Sequence, residues 1–138
     1  MNSIDSDTCV ITIVIFGASG DLTRRKLIPA LYNNFKKKRL PAGLRIVGFA
    51  RRDWSDDQFR DRLGSGVKEY SAAFDASAWN DFAQNIHYVQ GDMDTPGDYR
   101  KLDSTLRDTE TEPADRLYYL ATALIFTVRL ADICLRPA

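Results

Sequence analysis

Apolar and polar residues follow two different patterns along this chain. Mostly apolar runs at residues 9–16, 45–50, 86–90 and 117–121 predict four strands. Between these runs, apolar residues recur every three or four positions, which predicts helices. The predicted helices cover residues 22–38, the stretch from 55 or 56 to 63, a second piece at 67–74, a short segment that begins at 77, and residues 98–107.

Three features set the expected ends and breaks of the helices. Ser55 or Asp56 is the predicted N-cap of the second helix. Pro29 falls inside the first predicted helix and predicts a kink or a tight first turn there. Gly64-Ser-Gly66 predicts a break between two helical pieces.

The alternation of strands and helices predicts an α/β fold. The expected architecture is a Rossmann-type parallel sheet built from βαβ units with the strand order 3-2-1-4, incomplete at its C-terminus. In such a sheet the ligand binds at the carboxyl ends of the strands, here next to the first and fourth strands.

A glycine turn, Gly17-Ala-Ser-Gly-Asp-Leu-Thr23, lies between the first strand and the first helix. Glycines permit the sharp turn and let a pyrophosphate approach the backbone, while the helix N–H groups and dipole attract the anion. The expected ligand is a dinucleotide. Asp21 is expected to cap the helix or orient the loop, because a carboxylate repels phosphate. At least one of the cations Arg24, Arg25 and Lys26 is expected to face an anionic ligand, because cations at a helix start oppose its dipole.

The end of the second strand predicts which cofactor is used. An acidic residue there holds the ribose 2′-hydroxyl of NAD, but this chain has Gly48-Phe-Ala-Arg-Arg52. Arg51, with Arg52 as a second candidate, suits the 2′-phosphate of NADP. The alternative is that both arginines are solvated surface charges.

Composition narrows the classes of protein. The 138 residues suit one domain, and the net charge of zero argues against nucleic acid as a partner. No apolar run approaches the roughly 20 residues of a membrane span, and the polar first seven residues argue against a signal peptide. Cys9 and Cys134 lie too far apart to suggest a disulfide framework or a metal cluster. A cytoplasmic protein is expected, and oligomer formation stays open.

Residues 17–33 closely resemble the NADP-binding domain of the glucose-6-phosphate dehydrogenase family. Gly48-Phe-Ala-Arg-Arg52, Tyr88-Val-Gln-Gly-Asp92 and Tyr118-Tyr-Leu-Ala-Thr122 extend the match. The resemblance implies an enzyme of glucose metabolism that oxidises glucose 6-phosphate to 6-phosphogluconolactone in the pentose phosphate pathway. It implies that the pyrophosphate is held by the loop of Gly17, Ala18, Ser19, Gly20, Asp21, Leu22, Thr23 and Arg24. It further implies Arg51 at the 2′-phosphate, Asp92 and Met93 on the adenine side, and Lys26 between the cofactor and the sugar phosphate.

The chain also departs from this family. The family's sugar-binding sequence Arg-Ile-Asp-His-Tyr, whose histidine is the general base, does not occur here. The one histidine, His87, falls at the start of the third strand, away from the expected ligand. The chain alone is therefore expected to bind NADP without catalysing the reaction, with no catalytic or metal-binding residue and with glucose 6-phosphate a partner only of the full-length enzyme. Residues 1–123 are the expected domain, and residues 124–138 are a tail that diverges from the family pattern.

Two alternative functions remain open. A non-catalytic redox sensor that binds NADP would need the same residues. An atypical short-chain reductase would share Gly-Ala-Ser-Gly, and Tyr32-x-x-x-Lys36 matches the spacing of its catalytic pair. That pair falls at the far end of the first helix, where we interpret it as helix surface.

Overall fold

The computed structural model describes residues 11–41, 43–72, 74–109 and 115–121. Its strands are β1 (Ile11–Phe16), β2 (Arg45–Ala50), β3 (Ile86–Gln90) and β4 (Asp115–Leu120). They form one parallel sheet in the order β3-β2-β1-β4, which confirms the predicted fold class and topology. The predicted domain boundary at residue 123, the tail and both cysteines lie outside the described residues.

The helices follow the predicted order with shifted ends. A π-helical segment (Thr23–Leu27) runs into α1 (Ile28–Lys36), and α2 (Asp56–Tyr70), α3 (Ala76–Ala83) and α4 (Pro96–Thr109) follow. Ser55 is the N-cap of α2, since its hydroxyl accepts the Gln58 N–H at 3.2 Å and the Gln58 side chain accepts the Ser55 N–H at 2.9 Å. None of the helices within the described ranges is long and apolar enough to cross a membrane.

Pro29 accounts for the π-helical segment. A proline has no N–H to donate to the carbonyl four residues earlier. The Ile28 N–H just before it donates to the Thr23 carbonyl, five residues back, so the turn is wider than an α-helical one. Pro29 itself lies in the first turn of α1, where a missing N–H is tolerated. The predicted irregularity is therefore present, but as a widened turn rather than a tight one.

The predicted break at Gly64-Ser-Gly66 is wrong, because α2 continues through it to Tyr70. Both glycines instead permit close packing. A Cβ at Gly64 would lie 2.7 Å from Nε1 of Trp79 in α3, and a Cβ at Gly66 would lie 2.7 Å from the carbonyl oxygen of Arg24. The two glycines let α2 approach α3 and the π-helical segment.

The core has one layer on each face of the sheet. Residues 12–16 of β1 and 46–50 of β2 are all buried, as expected for strands covered on both faces. Ile13 and Ile15 face α1, α2 and α3, whereas Val14 and Phe16 pack against α4. The first layer also holds the ring cluster of Tyr32, Trp79 and Phe82. β4 is one of the two edge strands of the described sheet, and its Leu117 and Tyr118 are exposed.

Candidate functional site

The predicted site segments meet at one edge of the sheet. The glycine turn directly follows β1, Arg51 directly follows β2, and Asp92 and Met93 follow β3. The three strands are parallel neighbours, so their carboxyl ends share this edge. The end of β4 is there too, where the Ala121 N–H donates to the Phe16 carbonyl at 2.9 Å.

Backbone hydrogen bonds hold the glycine turn in place. Gly17 has a φ of 78°, a left-handed conformation that strains any residue with a Cβ. The N–H groups of Gly17 and Ala18 donate to the Phe49 carbonyl of β2 at 3.0 and 3.4 Å, and the Gly20 N–H donates to the Gly17 carbonyl at 3.0 Å. Three N–H groups of the turn thus have protein partners.

The donors left for an anion are at the start of the helix. The helical backbone begins at Asp21, and the first N–H groups of a helix have no partner within it. The helix continues through the π-helical segment to Lys36, so its dipole also favours an anion at this end. Ser19 is partly exposed beside these groups. Together, Ser19, Asp21 and Leu22 present a cradle suited to phosphate oxygens.

The charged side chains of the loop pair with each other or with α2. The Asp21 carboxylate accepts a hydrogen bond from Arg25 at 3.0 Å, so Asp21 is neutralised one turn along the helix. Arg24 donates to Glu69 and to the Ser65 hydroxyl, each at 3.1 Å. Lys26 is exposed and makes no hydrogen bond or ion pair with the described part of the chain. Of the three predicted cations, Lys26 is therefore the one whose charge is available.

Ala18 and Thr23, two of the predicted cofactor ligands, are buried and can contact a cofactor only through their backbone. The Thr23 side chain is buried, and its Oγ1 has no hydrogen-bond partner among the described residues. Ala18 is 2% exposed. The Arg24 guanidinium would have to leave Glu69 to reach a ligand. Leu22, by contrast, is 47% exposed at the mouth of the turn.

Side chains of β3 fix the turn that carries Arg51. The Tyr88 hydroxyl donates to the Arg52 carbonyl at 2.6 Å and lies 3.1 Å from the Ala50 carbonyl. Burial raises the pKa of Tyr88 to about 12, so the hydroxyl keeps the proton it donates. The Gln90 Nε2 donates to the Arg51 carbonyl at 3.2 Å. The backbone on both sides of Arg51 is thus held while its side chain stays exposed.

A cavity of about 310 Å³ opens beside this turn. Its lining residues are Arg51, Gln90, Gly91, Asp92, Asp98 and Lys101. Met93, next in sequence, packs against the α4 side of the core. Sequence reasoning did not single out Gln90 or Lys101. The strand order 3-2-1-4 was the available signal for Gln90, because it places the end of β3 beside Arg51.

Two other candidate residues lie elsewhere. His87 is at the amino end of β3, opposite the glycine turn, with its Nδ1 3.4 Å from an Asp56 carboxylate oxygen. Tyr32 is fully buried, and its hydroxyl bonds to the backbone N–H and carbonyl of Asp75 at 2.9 and 3.2 Å. A catalytic tyrosine of a short-chain reductase must reach its substrate, so this burial counts against that alternative.

Comparison with known proteins gives consistent matches. The chain is 41% identical over 124 residues to glucose-6-phosphate 1-dehydrogenase of Chlamydia pneumoniae, a match that covers 87% of this chain and 24% of that protein. It is 37% identical over 123 residues to the enzyme of Cyberlindnera jadinii, covering 86% and 24%. A relative from Arabidopsis thaliana, glucose-6-phosphate 1-dehydrogenase 6, cytoplasmic, is 36% identical over 122 residues, covering 83% and 24%. The chain thus spans about a quarter of the length of these relatives.

Solved structures and a family model also match glucose-6-phosphate dehydrogenases. A glucose-6-phosphate dehydrogenase in complex with its substrate glucose-6-phosphate superimposes with a TM-score of 0.83 and 27% identity, covering 94% of this chain and 28% of that one. The enzyme from Mycobacterium avium superimposes with a TM-score of 0.75 and 28% identity, covering 91% and 27%. The family model "Glucose-6-phosphate dehydrogenase, NAD binding domain" matches residues 14–133. The chain therefore belongs to the NAD-binding domain family of glucose-6-phosphate dehydrogenases.

Proposed function

We propose that this chain binds NADP, and prefers it to NAD, at the shared carboxyl edge of β1, β2 and β3. The observation that carries this proposal is an exposed cation, Arg51, directly after β2, on a turn that Tyr88 and Gln90 hold from the neighbouring strand. A guanidinium there attracts the 2′-phosphate that distinguishes NADP, whereas NAD selection calls for a carboxylate.

The pyrophosphate then lies on the glycine turn. Its oxygens accept hydrogen bonds from the N–H groups of Ser19, Asp21 and Leu22, and the helix dipole strengthens this attraction. The Asp21 carboxylate does not oppose this, because Arg25 neutralises it. Asp92 and Met93, which follow β3, lie on the adenine side.

We further propose that a protein containing this chain oxidises glucose 6-phosphate to 6-phosphogluconolactone, in the cytoplasm and within the pentose phosphate pathway. When bound, NADP⁺ accepts a hydride from the sugar. This chain's own residues bind and orient the cofactor, and Lys26 supplies an exposed cation on the substrate side. His87 lies at the opposite end of β3 and takes no part as a base.

Calorimetric titration of the full chain with NADP⁺ and, separately, with NAD⁺ tests cofactor binding. We expect saturable binding that favours NADP⁺, and Arg51→Ala should weaken NADP⁺ binding by about tenfold or more, the value of a lost charge-assisted hydrogen bond. NAD⁺ binding should change little. Arg39→Ala is the control, because Arg39 is exposed in the loop after α1, away from the site. Equal affinities that Arg51→Ala leaves unchanged would refute the proposal.

A further inference from the structure

A second cation shares the cavity beside Arg51. Lys101, on α4, lines the same cavity as Arg51, and its Nζ donates to the Gln90 carbonyl at 2.9 Å. The Gln90 side chain donates to the Arg51 carbonyl at 3.2 Å. Gln90 therefore bonds to the backbone of Arg51 and to the side chain of Lys101, and both residues line the same cavity.

The charges of Arg51 and Lys101 are not neutralised by ion pairs within the described residues. Two carboxylates also line the cavity and keep their negative charge. Asp98 accepts a hydrogen bond from the Asp92 N–H at 2.7 Å, Asp92 accepts one from the Asp94 N–H at 2.9 Å, and neither forms an ion pair with Arg51 or Lys101 within the described residues. The Lys101 ammonium has three donors, and the Gln90 carbonyl takes one. The cavity thus retains free cationic donors.

We propose that Lys101 is a second specificity-determining residue, which donates to the cofactor's 2′-phosphate together with Arg51. This inference rests on the proposed function and adds Lys101, on α4, to Arg51, after β2, as a residue that binds the 2′-phosphate. A phosphate dianion between two cations is better neutralised than one on a single arginine, and it accepts hydrogen bonds from both. The volume of about 310 Å³ falls within the range of small-molecule sites.

The test uses the full chain and two fragments of the cofactor, adenosine 2′,5′-bisphosphate and 5′-AMP. Lys101→Met keeps most of the length of the side chain and removes the charge. We expect this variant to bind the bisphosphate about tenfold more weakly, as for a lost hydrogen bond to a charged group, and to bind 5′-AMP like the parent chain. The difference should shrink as salt is added. Lys101→Arg should retain most of the affinity.

Arg100→Met is the matched control, since Arg100 is an exposed cation on the same helix outside the cavity lining. It should leave both affinities unchanged, and melting temperatures show whether each variant stays folded. If Lys101→Met leaves bisphosphate binding unchanged while Arg51→Ala weakens it, the Lys101 proposal is overturned and the proposed function stands. If the parent chain binds both fragments equally, or neither, both proposals fail.

Discussion

Replacement of Gly66 by alanine sets helix propensity against packing. At an unobstructed position in a helix, Gly→Ala stabilises by about 1 kcal/mol. Here the new Cβ would lie 2.6 Å from Cγ of Arg24 and 2.7 Å from its carbonyl oxygen. The Cγ can rotate away, but the carbonyl belongs to the π-helical segment and moves only with the backbone. Overpacking of this kind costs about 1–3 kcal/mol, and its backbone part favours the upper half of that range. The expected net effect is a loss of about 1–2 kcal/mol in the free energy of unfolding.

Urea unfolding of the parent chain and of Gly66→Ala, followed by circular dichroism, measures this difference. Gly97→Ala is the control, because Gly97 is also helical and a Cβ there meets nothing within 4 Å. That variant should gain about 0.4–1 kcal/mol. Gly66→Ala should also weaken NADP⁺ binding, because the displaced segment continues directly from the glycine turn. A Gly66→Ala chain as stable as Gly97→Ala would refute the packing argument.

Three further predictions concern the turns at the site. Gly17→Ala should lower the free energy of unfolding by roughly 1–2 kcal/mol, the cost of a left-handed alanine at the φ of 78°, and should weaken NADP⁺ binding. Urea unfolding and calorimetry measure these two effects, and unchanged values would refute the prediction. Tyr88→Phe should weaken NADP⁺ binding severalfold with little change for NAD⁺, and an equal loss for both cofactors in calorimetry would count against a positioning role. Its cost in stability should be only about 1 kcal/mol, because the Arg52 carbonyl still accepts the hydrogen bond from the Trp54 N–H. Because burial raises the pKa of Tyr88 from 10.0 to about 12, the folded state retains this proton longer than the unfolded state, and stability should fall between those pH values. Urea unfolding across that interval should show a flatter decline for Tyr88→Phe than for the parent chain.

The strands and their order could be predicted because the sequence signal is local and repeated. The apolar runs of β1 and β2 are buried on both faces, so periodicity alone locates them. The glycine turn was equally clear, since it directly joins a strand to a helix. To predict that Arg51 lies near the glycine turn needed one further inference, namely that the end of β2 lies beside the end of β1.

The errors arose where distant residues decide the outcome. Gly64 and Gly66 are helix breakers by propensity, but α3 and the π-helical segment pack against them. The pairing of Arg24 with Glu69, on a helix more than 40 residues later, likewise has no local signal, and the place of Arg24 at the cofactor stays a prediction. Lys101 has no local motif, and only the packing of α4 beside β3 brings it to the cavity.

The position of β1 in the sheet has a consequence for how the chain folds during synthesis. β1 pairs with β2 on one side, but its other partner is β4, so that Ile11 lies opposite Asp115. A nascent chain can therefore pair β3, β2 and β1 before residues 115–120 leave the ribosome. Until then, the free side of β1 offers unpaired backbone groups to other chains, and contacts so distant in sequence form slowly. The strand at the centre of the binding edge is therefore exposed to misassembly until β4 has been made, which makes this interval the one in which a chaperone would be most effective.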